Sequence, residues 1–406
     1  MKYLLIIGFT TLLFSNILVA QDASQWRGKD RDGIYAGTGL LTSWPAGGPA
    51  LLWHFDELGD GHASAAVVSH DKIYTAGTTD SIGYIFAFSL DGKLSWKTPY
   101  GNEWTENYPG TRSTPVINEG KVYLMSAFGK IVCLSAEKGE LLWTVETFKD
   151  YDGRNIVWGV TENLLIEGDI LFCTVGGVKN NVIALNKNTG KLVWSNPGNG
   201  EISAYCSPAL ITLPARKVLV TMTEKSILGL DAATGKNMWS YEQINMYAVH
   251  ANTPLFSNGY LYCVSGYGYG GVMLKLSADG SSVEKVWKNA ALDTRLGGVV
   301  LLNGRVYGLG DKIKGLHCLD WNSGEEVAFD KLNGKPGVII SAEGMLYTYD
   351  ESGEVALVEP TAAGFKKISS FKVPFGSAQH WAHPVIDNGR LYIRHGNSLM
   401  VYDIRK

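Results

Sequence analysis

The chain has 406 residues, of which 45% are hydrophobic, and a formal net charge of −3 at pH 7. That composition can bury a sizeable core, and the near-balanced charge leaves neither an electrostatic footprint for nucleic acid nor a basic run for an anionic membrane surface. Length alone would suggest two or three domains, an expectation that internal repeats override.

The chain opens with MKYLLIIGFTTLLFSNILVA, in which Lys2 precedes an apolar stretch that ends at Ala20. This pattern reads as a secretory signal peptide over residues 1–20, and it implies an exported protein, periplasmic or secreted. No later segment is apolar enough to span a bilayer. Residues 21–49 are expected to form an extended lead-in segment. ALLWHF at 50–55 follows as a strand-like run that carries Trp53 and has no partner strands of its own.

From there the chain repeats. Residues 112–143, RSTPVINEGKVYLMSAFGKIVCLSAEKGELLW, hold four runs of Val, Ile, Leu and Tyr parted by Gly, Asn and charged residues. This is the pattern of four antiparallel strands with tight turns. Trp53, Trp96, Trp143, Trp194, Trp239 and Trp287 recur at roughly blade-length intervals, and Phe329 and Phe371 continue the series to give eight periods. The last period, HPVIDNGRLYIRHGNSLMVYDIRK, supplies three strands and stops. Seating 50–55 beside them predicts an all-β chain, an eight-bladed β-propeller over 50–406 closed by an N-terminal outer strand.

ALNKNTGKLVW at 184–194 and GLDAATGKNMW at 229–239 resemble the tryptophan-docking motif of the PQQ-like β-propeller repeat superfamily. That superfamily includes quinoprotein alcohol dehydrogenases and the cofactor-free propeller of the outer-membrane protein assembly machinery. QWRGKDRDGIYAGTGLLTSWPAGGPALLW is similar to the start of many secreted members, so the resemblance runs over residues 25–406. It implies that the six Trp rings pack between neighbouring blades, with the Gly of each word making the turn before the fourth strand. NSGEE and AAGFK match the motif less well, so the side of the ring at Phe329 and Phe371 is expected to be looser.

Chemistry is sought where the innermost strands meet the central channel. One aligned column there holds His62, Thr111, Gly159, Ala204, His250, Arg295, Lys335 and His380, and the next holds Arg112, Tyr205 and Trp381. Five of the eight positions in the first column are His, Arg or Lys, which predicts positive charge at one channel mouth, suited to an anionic or carbonyl-bearing ligand. The interblade stretches PYGNEWTENYPGTR at 99–112 and ETFKDYDGRNIVW at 146–158 carry aromatic and polar groups able to stack on sugars or dock a peptide. GYGYGG at 266–271 reads as a hairpin turn inside a blade.

A working quinoprotein would need Ca²⁺ ligands and a base. Glu162 with Asn163 are the metal-ligand candidates and Asp293 the candidate base, while the adjacent cysteine pair of catalytic members is missing from Cys133, Cys173, Cys206, Cys263 and Cys318. These five lie apart in apolar stretches and are expected as buried free thiols. The sequence therefore reads as an exported monomer that binds an extracytoplasmic ligand or protein without a cofactor. The alternative is a dehydrogenase of alcohols or sugars using PQQ with Ca²⁺.

Overall fold

The computed structural model describes residues 24–406; the signal-peptide reading of residues 1–20 lies outside them. Apart from one helical turn at Thr147–Asp150, the regular elements are strands arranged in eight sheets. Seven blades span 67–102, 116–146, 165–196, 209–242, 255–289, 300–330 and 337–372. The eighth joins 385–403 to Ala50–Phe55, which pairs antiparallel with Ser398–Asp403 and puts Trp53 opposite Val401. Because each blade is covered on both faces by its neighbours, the middle strands are buried without alternation, as in Val182–Asn186 and Gly315–Asp320. All five cysteines are buried and free.

The recurring Trp positions are explained by one contact made between blades. Trp96, Trp143, Trp194, Trp239 and Trp287 donate their indole N–H to Ala136, Lys187, Ala232, Gly280 and Trp321, carbonyls in the turn before the fourth strand of the next blade. Trp53 closes the circle by donating to Leu90 of the first blade. Under the ring lies the Gly of that turn. Gly139, Gly190, Gly235 and Gly324 have φ between +69° and +73°. A Cβ on any of them would come within 2.4–2.9 Å of the Trp ring of the preceding blade. The glycine is thus required twice, for its left-handed backbone and for the room it leaves.

Each docking Trp is aimed by a β-bulge. The residue before it is skipped in the pairing register, as between Leu141 and Trp143 or between Leu51 and Trp53. Such an extra residue turns the strand so that two neighbours share one side. Leu141 and Leu142 are accordingly both exposed, as are Leu192 and Val193. The same bulge corrects the sequence reading in two blades. It skips Val327 and Ile368, so Ala328 and Ser369 stand where a Trp would, and Phe329 and Phe371 do not. Phe329 is 44% exposed, whereas Phe371 is buried, contrary to uniformly loose packing. Two substitutes fill the gaps. Arg305 donates to the Thr361 and Ala362 carbonyls of the next blade. Trp44, from the lead-in, packs edge-on to Phe371 at 5.7 Å and lies 5.8 Å from Tyr347.

The lead-in also crosses the channel. The Ser24 carbonyl accepts from Ile117 of the second blade, and Arg31 donates to the Asn163 and Leu164 carbonyls beside the third. Arg27 reaches the Val299 and Ile339 carbonyls and His383 Nδ1, joining the sixth, seventh and eighth blades. Ile34–Tyr35 then adds a parallel strand to the inner edge of the seventh blade. Gly33, at φ +79°, is needed here because a Cβ would collide with the Arg27 guanidinium at 2.3 Å.

Trp194→Ala should therefore cost about 3–5 kcal/mol in urea unfolding, and Trp44→Ala a similar amount. Phe329→Ala should cost about 1 kcal/mol or less, since the ring is half in solvent. Equal losses for Trp194 and Phe329 would contradict the bulge register.

Candidate functional site

The loops that lead into the innermost strands, and the hairpins between second and third strands, meet on one face of the ring. There they surround a cavity of about 620 Å³. Its walls include Tyr108, Trp158, Tyr205, Tyr267 and Trp381, its polar lining includes Arg112, Arg295 and Glu351, and Trp26 of the lead-in joins it from the channel. Tyr108 and Trp158 come from the two interblade stretches noted in the sequence, and Tyr267 from the GYGYGG hairpin.

Two aromatic groups form the walls. Trp381 lies 4.9 Å from Tyr108 and meets the edge of His62 at 4.6 Å. Opposite, Trp158 lies near Tyr205 and Tyr247, and Tyr247 meets Tyr267 at 4.7 Å. Tyr205 and Tyr267 have φ of 64° and 58°, and the Tyr205 hydroxyl accepts from the Trp158 N–H. In the loops that supply these walls, Tyr108, Val157, Met246 and Tyr247 stand 44–80% exposed.

Of the ligand-binding candidates, Arg112, Tyr205, Arg295, His380 and Trp381 all line the cavity, and His62 sits behind Trp381. His250 and Lys335 do not. His250 is buried against the Ser265 hydroxyl at 2.6 Å while its neighbours Val249 and Ala251 face the cavity, and Lys335 is exposed elsewhere.

The expected concentration of positive charge is not there. Arg295 donates to Asp311 and Glu351, each at 2.8 Å, and Trp381 Nε1 donates to the same Glu351 oxygen at 2.7 Å. Burial, helped by Arg112 and Arg394, lowers His62 to about 3. Burial lowers His250 to about 4. His380 is lowered to about 4 by burial and by His395, on which it stacks at 3.6 Å, and its Nδ1 is bonded to the Tyr349 hydroxyl. The three histidines of the column are thus neutral and Arg295 is paired, because burial disfavours a charged imidazole.

Arg112 is the exception. Its Nη2 donates to the Asn107 and Tyr108 carbonyls, its Nε has no partner, and no carboxylate among the described residues pairs with it. Glu103, which contributes an attraction, accepts the Ala127 N–H and is pushed up by burial to about 8, so it is mostly uncharged at neutral pH.

The residues proposed for Ca²⁺ and PQQ do not fit that role. Both Glu162 oxygens accept the Thr174 N–H, and burial raises Glu162 to about 8. The Asn163 side chain accepts from Thr114 and donates to Ser207. Asp293 accepts the backbone N–H groups of Gly268, Asp311 and Lys312. All three carry structural bonds, and among the described residues no group of His, Cys, Asp or Glu is placed to hold a metal ion. Glu351, Tyr267 and Trp26 were missed by the sequence reading. The two former sit on turn tips, where only the ring geometry brings them to the mouth.

Residues 81–328 match the family described as outer membrane protein assembly factor BamB. The Burkholderia pseudomallei protein of that name is 25% identical over 282 residues, which cover 67% of this chain and 66% of the relative. The quinoprotein ethanol dehydrogenase of Pseudomonas aeruginosa is 28% identical over 142 residues. That match covers 35% of this chain and only 20% of the dehydrogenase. The crystal structure of BamB from Moraxella catarrhalis superposes with a TM-score of 0.64 over 87% of this chain and 99% of that one. At 17% identity this likeness shows the fold alone.

The three histidines give a pH prediction. Their folded values lie below the ordinary 6.5, so the stability they contribute is present above about pH 6.5 and is lost as pH falls towards 4. Glu103 and Glu162 act in the opposite sense, favouring the fold below 4.5 and losing that contribution as pH rises through about 8. In an imidazole NMR titration His62, His250 and His380 should stay neutral down to about pH 5. Midpoints near 6.5 would return positive charge to the mouth.

Proposed function

This chain belongs to the family described as outer membrane protein assembly factor BamB, and from that premise we propose that it is an exported binding and scaffold module whose partner engages the channel mouth. The observation that carries this reading is the aromatic-walled cavity of about 620 Å³, with exposed Tyr108, Val157, Met246 and Tyr247 in the loops that line it. Apolar side chains of this size, grouped around a concave site, are a surface that a partner covers. The six docking Trp rings are used up in holding the blades together, so the binding surface is drawn from other aromatic residues.

Export is part of the proposal. It rests on the MKYLLIIGFTTLLFSNILVA pattern, and no described helix is long and apolar enough to cross a membrane. Against the dehydrogenase reading, the oxygens of Glu162, Asn163 and Asp293 are already engaged by backbone N–H donors that organise the fold.

Incubation with PQQ and Ca²⁺, read by absorbance and by alcohol-dependent dye reduction, tests this. The expected result is no stoichiometric uptake and no alcohol oxidation. Uptake with turnover would replace the scaffold reading by the enzymatic one.

A further inference from the structure

The mouth holds one feature that a scaffold role alone does not explain. Arg112 is 94% out of solvent, being only 6% exposed, yet it lines the cavity without any carboxylate partner among the described residues. A buried guanidinium is normally paired, because removing an isolated charge from water is expensive. Arg31 Nε and Arg394 Nη2 are also buried without a partner, but neither residue lines the cavity, and the other arginine that does is paired. Arg295 has two carboxylates, and Arg27 and Arg394 each bind three carbonyls or more across blades.

We propose, on the reading of this chain as a protein-binding module, that the cavity receives a carboxylate-bearing part of a polypeptide partner, its negative group on Arg112 and its flanking apolar side chains on the aromatic walls and exposed loops. The guanidinium of Arg112 lies over the Trp104 ring at 5.6 Å, its hydrogen bonds to the described residues come from Nη2 alone, and a guanidinium pairs with a carboxylate through parallel N–H donors. Glu103 supplies no competing charge at neutral pH, since burial keeps it protonated. Glu351 is already shared by Arg295 and Trp381, so the acidic group is directed to the Arg112 side of the cavity.

The exposed loops favour a polypeptide over a sugar. Val157 and Met246 are 67% and 80% exposed in loops that line the cavity, and aliphatic side chains such as these are buried by apolar residues of a partner. Below, the lead-in fills the channel from Ser24 to Tyr35, with Trp26 at the base of the cavity. A chain that enters has no way through, so it contributes either its own C-terminal carboxylate or an acidic side chain from a loop. Both sources offer the same anion to Arg112.

The test uses the intact protein, immobilised, and three pools of short random peptides at low salt. One pool ends in a free carboxylate, one is amidated with a fixed central Asp, and one is amidated and free of acidic residues. Retention from the first pool, the second or both, at roughly ten- to a hundredfold over the third, is the expected result, and which pool wins identifies the source. Arg112→Gln should abolish that preference and Arg112→Lys should keep part of it, with near-UV circular dichroism showing that both variants fold. Should Arg112→Gln unfold, the double variant V157S, M246S gives a second readout, lowering retention from every pool without altering the acid preference. Equal retention from all three pools would remove the carboxylate anchor and leave the protein-binding reading intact. No retention from any pool, or retention of uronate oligosaccharides instead, would overturn both.

Discussion

The whole ring depends on an indole N–H reaching a carbonyl in the next blade across a glycine that has no side chain. Neither half works without the other. Without Gly235 at φ +72° the turn cannot form under Trp194, and without Trp194 the turn carbonyl of Ala232 loses its donor in a buried seam. Since six of the eight blades give a Trp to the next, the contact sets the angle between those neighbours and so shapes the closure of the circle. Trp53 then ties the N-terminal strand to the first blade at Leu90, and Arg390 donates to the same carbonyl.

That rule was legible in the sequence because it fixes two residue types at one spacing. The blade count and the closing strand follow from it. What the spacing could not reveal was the bulge before each docking position. A skipped residue shifts every later side chain by one, which is why Phe329 looked like a docking residue while Ala328 holds the place. The lead-in was legible as a segment but not as an axial filler, since Arg27 bonds to residues hundreds of positions away.

The mouth was half legible for a related reason. Column counting assumes that side chains alternate along a strand. The loops entering the channel break that assumption with left-handed residues such as Tyr108, Tyr205, Ala248 and Ala378. After Ala248 the order changes, so that Val249 and Ala251 face the cavity and His250 turns into the blade. Arg112, Tyr205 and Trp381, by contrast, line the cavity. The electrostatic inference failed because a residue type does not reveal its partners. Asp311 and Glu351 come to Arg295 from other hairpins.

The abundance of basic residues around the channel has a structural cause. Except in the seventh blade, where Ile34–Tyr35 pairs with it, the innermost strand of a blade pairs on one side only, and its other edge turns unpaired carbonyls towards the axis. Water cannot satisfy them where the lead-in fills the channel, so donors must come from side chains. A guanidinium is suited to this because one planar group can reach carbonyls on several strands at once. Arg31 does so at the third blade, Arg27 at the sixth and seventh, and Arg394 between the eighth and the first through Ser64 and Ala76. Burial lowers all three towards about 9 or 10, which still leaves them charged at neutral pH. The carbonyl dipoles therefore take the place of counter-ions. Arg112 follows the same rule with Nη2 alone, and what distinguishes it is position: it is the guanidinium that both caps backbone and opens onto the cavity. A site of this kind needs no special residue of its own, only one channel arginine standing where the filler ends.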